Sequence, residues 1–410
     1  MTSTTAVPQA TRAGSRSKTK QIKKDKKRHN GLVATPLKVL ERPVIGVDPD
    51  HRVSIENMTY IGSYSWVDSV EPTIVVPGAP PIWRDRRTPY TIPPDRKTFT
   101  YEDAYRMPSS PNLARMRAID IMTEEKGIHI DWPSIDFITD RNALRKLLRW
   151  NNGASGKDFR IDLELVGELT VFLNRWEDKT HHRADPHHPG YGFSFEHAST
   201  SPARGCEGTT GHHRISSYEF GGLRMIVSYE VDACAATTTA ETKAIAQPST
   251  SARASSQRSS KPIGTSSGSS RARTKGTTLS IIRAGHEVPQ SSLIELKSSS
   301  KISWTETYPQ LYLGQIPHLY HGLHDHGRVR QIVKRERSEE ALLRVDYELQ
   351  ANFHKLHDCL RTIQALVIEH GRQVHLSLVY EAKRGRPLEV YQRTSPVTNF
   401  LPQEILQRFE

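Results

Sequence analysis

The stretch Ile215-Ser-Ser-Tyr-Glu-Phe-Gly-Gly-Leu-Arg-Met-Ile-Val-Ser-Tyr-Glu-Val-Asp232 is where the reading of this chain turns. β-forming runs lie on either side of Gly221-Gly222. Paired glycines between such runs predict a hairpin, because the tightest hairpin turns need positive φ at their central residues. The second run, Met225 to Asp232, closes on a Glu-apolar-Asp triplet. On a strand, residues i and i+2 share a face, so Glu230 would stand beside Asp232 while Val231 points into the core. The run Leu293 to Lys297 repeats the pattern, with Glu295 and Lys297 on either side of Leu296. Neighbouring carboxylates repel unless a cation lies between them, and for hard oxygen donors that cation is Mg²⁺ or Mn²⁺.

The 410 residues can hold one large domain or two of ordinary size. Of the net charge of +12, residues 1–30 carry +8 and residues 235–280 carry +6, which leaves −2 on everything else. The basicity therefore belongs to segments with little to bury. Residues 1–43 read as a disordered basic tail, and 236–276, rich in Ser, Thr, Ala and Arg, as a disordered insertion in a single domain spanning 44–410. Loop-closure cost grows only logarithmically with length, so such an insertion is tolerable if its ends lie close together. Within the tail, Lys23-Lys24-Asp25-Lys26-Lys27-Arg28 is dense enough for a nuclear-import signal or an electrostatic contact to nucleic acid. A plain solvated charge run is the competing interpretation. Cys206, Cys234 and Cys359 are widely spaced and form no CxxC pair, which argues against a disulfide framework or a thiolate zinc site and suggests a reducing compartment. No apolar run approaches the ~18 residues of a membrane span.

Local patterns fill in the rest. Tyr60–Trp66 and Thr73–Val76 read as strands, followed by a rigid Pro77–Pro81 turn. Leucines at 144, 147 and 148 predict a helix over Asn142–Trp150. Ile161–Leu173 reads as a strand, and Leu279–Arg283 and Leu293–Lys297 as strands that resume the sheet after the insertion. Ser338–His370 is the longest helical pattern, ended by Gly371; a strand over Val374–Tyr380 and a short helix over Ile405–Phe409 follow. The pairs His181-His182 and His187-His188 sit among Pro and Gly and read as a polar loop rather than zinc ligands. Tyr64, Trp66 and Trp83 could stack on nucleobases, with core packing expected for at least two of them. His213 or Arg214 could line a site.

Taken singly, each acidic triplet is a solvated strand face or a surface ion pair worth ~0–1 kcal/mol. Their order is more informative. Arg141 is followed by Gly192-Phe193-Ser194-Phe195-Glu196, then Glu230-Val231-Asp232, then Glu295-Leu296-Lys297, then Gln315. This series, over roughly residues 130–325, resembles the motif order of the DXO (decapping exoribonuclease) family, which removes incomplete or abnormal caps from RNA 5′ ends. The insertion after the third motif marks a diverged branch.

The resemblance implies an α+β fold, with a mixed β-sheet core flanked by helices, related to the restriction-endonuclease-like nucleases. It implies hydrolysis of RNA 5′ ends (cap or pyrophosphate removal, with 5′–3′ trimming as a further activity) using a pair of Mg²⁺ or Mn²⁺ ions. Glu196, Asp232, Glu295 and the Leu296 carbonyl become expected metal ligands, and Glu230 binds through water or holds a second ion. Lys297 becomes a donor to the nucleophilic water or phosphate, Arg141 a bidentate phosphate contact and Gln315 a neutral donor that orients either. A nuclear location is expected, with the cytoplasm as a second compartment. The alternative from a different class is a catalytically weak partner of a 5′–3′ exoribonuclease. A DNA nuclease is a third, since the fold alone does not fix the substrate.

Overall fold

Gly221 and Gly222 have φ of 57° and 86°, and Phe220 pairs directly with Leu223 across them, so the double glycine makes the expected two-residue hairpin. The computed structural model describes residues 27–44, 52–99, 101–154, 156–184, 189–236, 278–382, 387–394 and 401–410. The longer strands, in chain order, are β1 (Ile55–Val67), β2 (Thr73–Gly78), β3 (Phe137–Asp140), β4 (Phe159–Val166), β5 (Thr170–Trp176), β6 (Thr209–Phe220), β7 (Leu223–Glu230), β8 (Ser280–Gly285), β9 (Leu293–Ser299), β10 (His318–Asp325), β11 (Arg328–Glu336), β12 (Leu376–Tyr380) and β13 (Leu388–Gln392). The helices that matter below are α1 (Glu102–Arg106), α2 (Leu113–Lys126), α3 (Arg141–Asn151), α4 (Gly192–Ser199), α5 (Trp304–Gly314) and α6 (Glu340–His370).

Among the described residues the strands form two principal mixed sheets. The larger has the order Lys38–Leu40, β13, β12, β4, β5, β3, β7, β6, β1, β2, β8. The smaller runs through Ile82–Trp83 and Ala233–Cys234 to β9, β10 and β11. Period-two alternation splits β7 between two cores. Met225, Val227 and Tyr229 pack toward α3, α5 and α6, whereas Ile226 joins the α2 side with Ile61, Met116 and Ile119. On that second face α2 lies almost on the backbone of β1: a Cβ at Gly62 would come within 3.2 Å of the Ala118 carbonyl oxygen. The α+β architecture of mixed sheets flanked by helices is as the motif order implies.

Several local expectations are corrected. Ile161–Leu173 is not one strand but most of the β4–β5 hairpin, turned at Gly167 with φ 65°. The strands after the insertion do not resume one sheet: β8 pairs parallel with β2 at the edge of the large sheet, and β9 lies in the small one. Pro77 and Gly78 belong to β2 rather than to a turn. Residues 27–43 do not belong to a free tail. Lys38–Leu40 pair with β13, and Arg28 is buried, donating to Asp158 at 2.8 Å beside Glu381. A buried guanidinium holds its place when paired carboxylates offset its desolvation. Residues 1–26, the whole of 237–277 and His187-His188 lie outside the described residues. Tyr64, Trp66 and Trp83 are all core residues.

Candidate active site

The two sheets meet at the acidic motifs. β7 ends at Glu230, and Ala233 is already paired with Ile294 of the small sheet, so Asp232 sits where the chain passes from one sheet to the other. Val231 is 1% exposed and its amide donates to the His212 carbonyl, which fixes the alternation that turns Glu230 and Asp232 toward the same cavity. Glu295 and Lys297 share a face of β9 as expected. Glu196 comes from α4, in its second turn. These five side chains, with Arg141, line one cavity of about 380 Å³.

The motif residues form a tight electrostatic network. Glu295 is 1% exposed; its Oε2 accepts from Arg141 Nη1 at 2.9 Å and its Oε1 from Lys297 Nζ at 2.5 Å. Burial alone would raise its pKa, but these two cations outweigh it and hold Glu295 down at about 2. Asp232 moves the other way. Burial, then the neighbouring Glu295, pushes it up to about 7 against the pull of Lys297, although its Oδ2 accepts the Leu296 amide at 2.7 Å. Glu196 is also raised well above the carboxylate range, first by burial and then by Asp232 and Glu230.

Arg141 does not stand free for a phosphate. Asp140 caps α3 by accepting the Ala143 amide at 2.8 Å, which places Arg141 in the first turn. From there its guanidinium reaches Glu295, the Gln310 carbonyl at 3.0 Å and the Glu230 carbonyl at 3.1 Å. Arg141 therefore ties together the end of β7, β9 and α5. The Leu296 carbonyl likewise accepts from Lys297 Nζ at 3.1 Å.

Gln315 does not line the cavity. It caps the C-terminus of α5 with φ 50°; its Nε2 donates to the Tyr312 carbonyl and its Oε1 accepts from Arg337. It lines a different pocket, with Arg52 and Asp346. The glutamine of the cavity is Gln310, five residues earlier on α5, 8% exposed. Which face of a helix meets a site depends on tertiary packing, so the order of motifs could not separate the two. Arg145, in contrast, was findable, because it follows Arg141 by one helical turn and shares its face. Burial, then Arg149 and Arg141, lowers its pKa to about 9. Arg175, bound to Glu177 at 2.8 Å, adds to the cationic wall. His213 lines the cavity, whereas Arg214 donates to the Val288 carbonyl and does not. Glu102 on α1 also lines the cavity and carries no motif that would have revealed it.

The donor set suits a hard divalent cation. The four motif carboxylates face two motif cations, Arg141 and Lys297, and the carboxylate that both cations hydrogen-bond is Glu295. That leaves Glu196, Glu230 and Asp232 crowding one another, which is what lifts Glu196 and Asp232. Among the described residues no trio of Asp, Glu, His or Cys donors is drawn close enough to hold an ion without movement.

Two mixed sheets bring an acidic cluster and a lysine to their junction, and this is the fold of the Rai1 structures. The chain superposes on Rai1 of S. pombe with a TM-score of 0.54 at 14% identity, covering 84% of this chain and 96% of that one. It matches Scheffersomyces stipitis Rai1, solved with (3′-NADP)⁺ and a calcium ion, with a TM-score of 0.57 at 11% identity over 91% and 99% of the two chains. For Candida albicans Rai1, solved with pU5 and Mn²⁺, the TM-score is 0.51 at 13% identity over 91% and 99%. By sequence the chain belongs to the family described as a domain of unknown function (DUF8563), matched over residues 36–409. No curated protein matches the sequence.

Proposed function

We propose that this protein is a divalent-metal-dependent hydrolase of RNA 5′ ends that removes incomplete or abnormal caps or 5′ pyrophosphate, with 5′–3′ trimming as an accompanying activity. The observation that carries this reading is the convergence of Glu196, Glu230, Asp232, Glu295 and Lys297, drawn from both sheets and α4, on one cavity with Arg145 and Arg175 in its wall. The Rai1 structures with pU5 and Mn²⁺ and with (3′-NADP)⁺ and calcium lend it support, as ligands of those proteins.

Glu196, Asp232, Glu230 and Glu295 would hold one or two Mg²⁺ or Mn²⁺ ions. Bound there, such ions would supply activation of water and neutralisation of charge on the attacking and leaving oxygens. The chain's own groups supply positioning. Lys297 Nζ, held by Glu295, is placed to donate to a phosphoryl oxygen as negative charge grows on it. Arg145 and Arg175 attract the phosphates that follow the reacting one. Gln310 takes the neutral orienting role first given to Gln315. Arg141 acts by fixing Glu295 rather than by gripping substrate. Nuclear location rests on the basic run from Lys23 to Lys27, since Arg28 is buried against Asp158.

The second reading, a catalytically weak partner of a 5′–3′ exoribonuclease, draws on the occupation of both Glu295 oxygens by Arg141 and Lys297. One experiment separates the two. Purified protein is incubated with RNAs bearing triphosphate, unmethylated cap, methylated cap or NAD 5′ ends, with Mg²⁺ or Mn²⁺. Release of a 5′ product that disappears on adding EDTA supports the hydrolase. No product from any of the four RNAs refutes it.

A further inference from the structure

One buried carboxylate of the cavity has no part in the chemistry above. Glu102 is 7% exposed. Its Oε1 is saturated, accepting from Arg106 Nε at 2.9 Å, from Arg106 Nη2 at 2.7 Å and from the Thr210 hydroxyl. Its Oε2 has no hydrogen-bond partner among the described residues, and it is turned toward Gly211. A Cβ built on Gly211 would lie 3.0 Å from Glu102 Oε2 and 3.2 Å from Glu230 Oε1. Any side chain there would fill the space between the two carboxylates, and glycine keeps it open.

The surroundings identify the kind of group that fits. The Arg106 side chain, 1% exposed, neutralises Glu102, so Oε2 is an acceptor within a paired, anchored carboxylate rather than a loose negative charge. Oε2 itself opens on the cavity, where the hydrogen-bond donor of a bound ligand can meet it. An ionised phosphate diester offers none. On the same side, His213 lines the cavity and its ring lies parallel to Tyr64, 5.0 Å between centroids and 6° between planes. The Tyr64 hydroxyl is fixed by Asp103 at 2.8 Å, so this platform is rigid. A backed imidazole is a stacking surface for a nucleobase. Between a base on His213 and a phosphate near Glu230 lies the sugar. In the first nucleotide of an RNA the 3′ oxygen is already esterified, so the 2′-hydroxyl is the donor the sugar has left. Carboxylates recognise ribose in this way in other nucleotide sites, and the 2′-hydroxyl is what distinguishes RNA from DNA.

We infer that Glu102 is the specificity-determining residue of the cavity: its Oε2 accepts a hydrogen bond from the 2′-hydroxyl of the RNA 5′-terminal nucleotide, and the site thereby discriminates against deoxyribose. The inference rests on the 5′-end reading above and adds to it the sugar and the residue that reads it.

The test is fluorescence anisotropy in Ca²⁺ buffer with a short 5′-phosphorylated RNA and the same RNA carrying 2′-deoxyribose at its first nucleotide. Wild type should bind the all-ribose RNA at least about tenfold more tightly, the worth of a hydrogen bond to a charged group. In Glu102→Gln, Arg106 and Thr210 hold the amide oxygen and leave an NH₂ in place of Oε2, from which the 2′-hydroxyl can accept only a neutral bond, so the ratio should fall toward one through weaker binding of the ribose form alone. Glu102→Asp keeps the charge beside Arg106 but withdraws the acceptor by one methylene. It should also lose the ratio, and its melting curve controls for folding. An unchanged ratio in both variants, or equal weakening toward both RNAs, overturns the role of Glu102. A wild-type ratio of one overturns it as well, while leaving the hydrolase reading intact. If wild type binds neither RNA, the 5′-end reading falls and this inference falls with it.

Discussion

Replacing Asp232 with Asn should make the metal-free protein more stable, and only at the pH values where Asp232 is charged. Asp232 is raised from an ordinary 3.8 to about 7 by burial and by Glu295. Between these values the native chain holds a proton that the unfolded chain has lost. Unfolding therefore releases a proton, and stability falls as pH rises from about 4 through about 7. A thousandfold rise in proton affinity corresponds to about 4 kcal/mol, at ~1.4 kcal/mol for each factor of ten. Partial exposure and coupling to Glu196 and Glu295 reduce this, so about 2 kcal/mol is the expected gain above pH 7.5. Asn keeps an oxygen to accept the Leu296 amide, so the 2.7 Å bond that Asp232 makes should survive. It also removes one of the neighbours that push Glu196 up. The assay is thermal unfolding in EDTA from pH 5 to 8.5. Asp232→Asn should melt a few degrees above wild type at pH 8, the gap should close by about pH 5, and added Mn²⁺ should stabilise wild type more than the variant. A variant that melts below wild type at pH 8, or a gap that does not change with pH, would refute the electrostatic reasoning.

Arg141→Ala should destabilise the protein by about 3–5 kcal/mol, because it strips one of two partners from a buried carboxylate; urea unfolding near pH 7 measures this, and Arg141→Lys should not restore a three-way bridge. Lys297→Ala should lower turnover of a 5′-modified RNA by about 10²–10³-fold with little change in RNA binding, as expected for loss of a donor used mainly in the transition state. Gln310→Ala should reduce turnover, whereas Gln315→Gly should leave it unchanged and shift stability by no more than about 1 kcal/mol, since glycine suits the positive φ there; the opposite pattern would return Gln315 to the site. Replacing 237–277 with a short Gly/Ser linker should preserve the melting temperature and weaken RNA binding at low salt, because basic residues leave with the segment.

What could be read from the sequence was what depends on near neighbours. The Gly221-Gly222 hairpin, the shared faces of Glu230/Asp232 and Glu295/Lys297, and the helix over Asn142–Trp150 follow from i, i+2 and i+4 geometry, and the structure keeps all of them, with the helix one residue longer at each end. The order of the motifs led to the fold, which no single motif could do. What escaped depends on packing between distant elements. Gln310 rather than Gln315 faces the cavity because of how α5 lies against Arg141, whose guanidinium holds the Gln310 carbonyl. Glu102 is on a five-residue helix with no periodicity to expose it. Arg28 looked like part of a charge run because its partners, Asp158 and Glu381, are 130 and more residues away.

The passage of the chain from one sheet to the other between Glu230 and Ala233 gives the site a mechanical character. Glu230 rides on the large sheet and Glu295 on the small one, so the two sheets act as jaws and any sliding of one against the other changes the gap between these carboxylates. Arg141, which grips the backbone beside one and the side chain of the other, is the spring across that gap. The spacing of these carboxylates is then set by that guanidinium together with the Ala233–Ile294 pairing and the Leu296–Asp232 bond. A substitution anywhere along α3 that rotates its first turn would reset the spacing without touching a carboxylate.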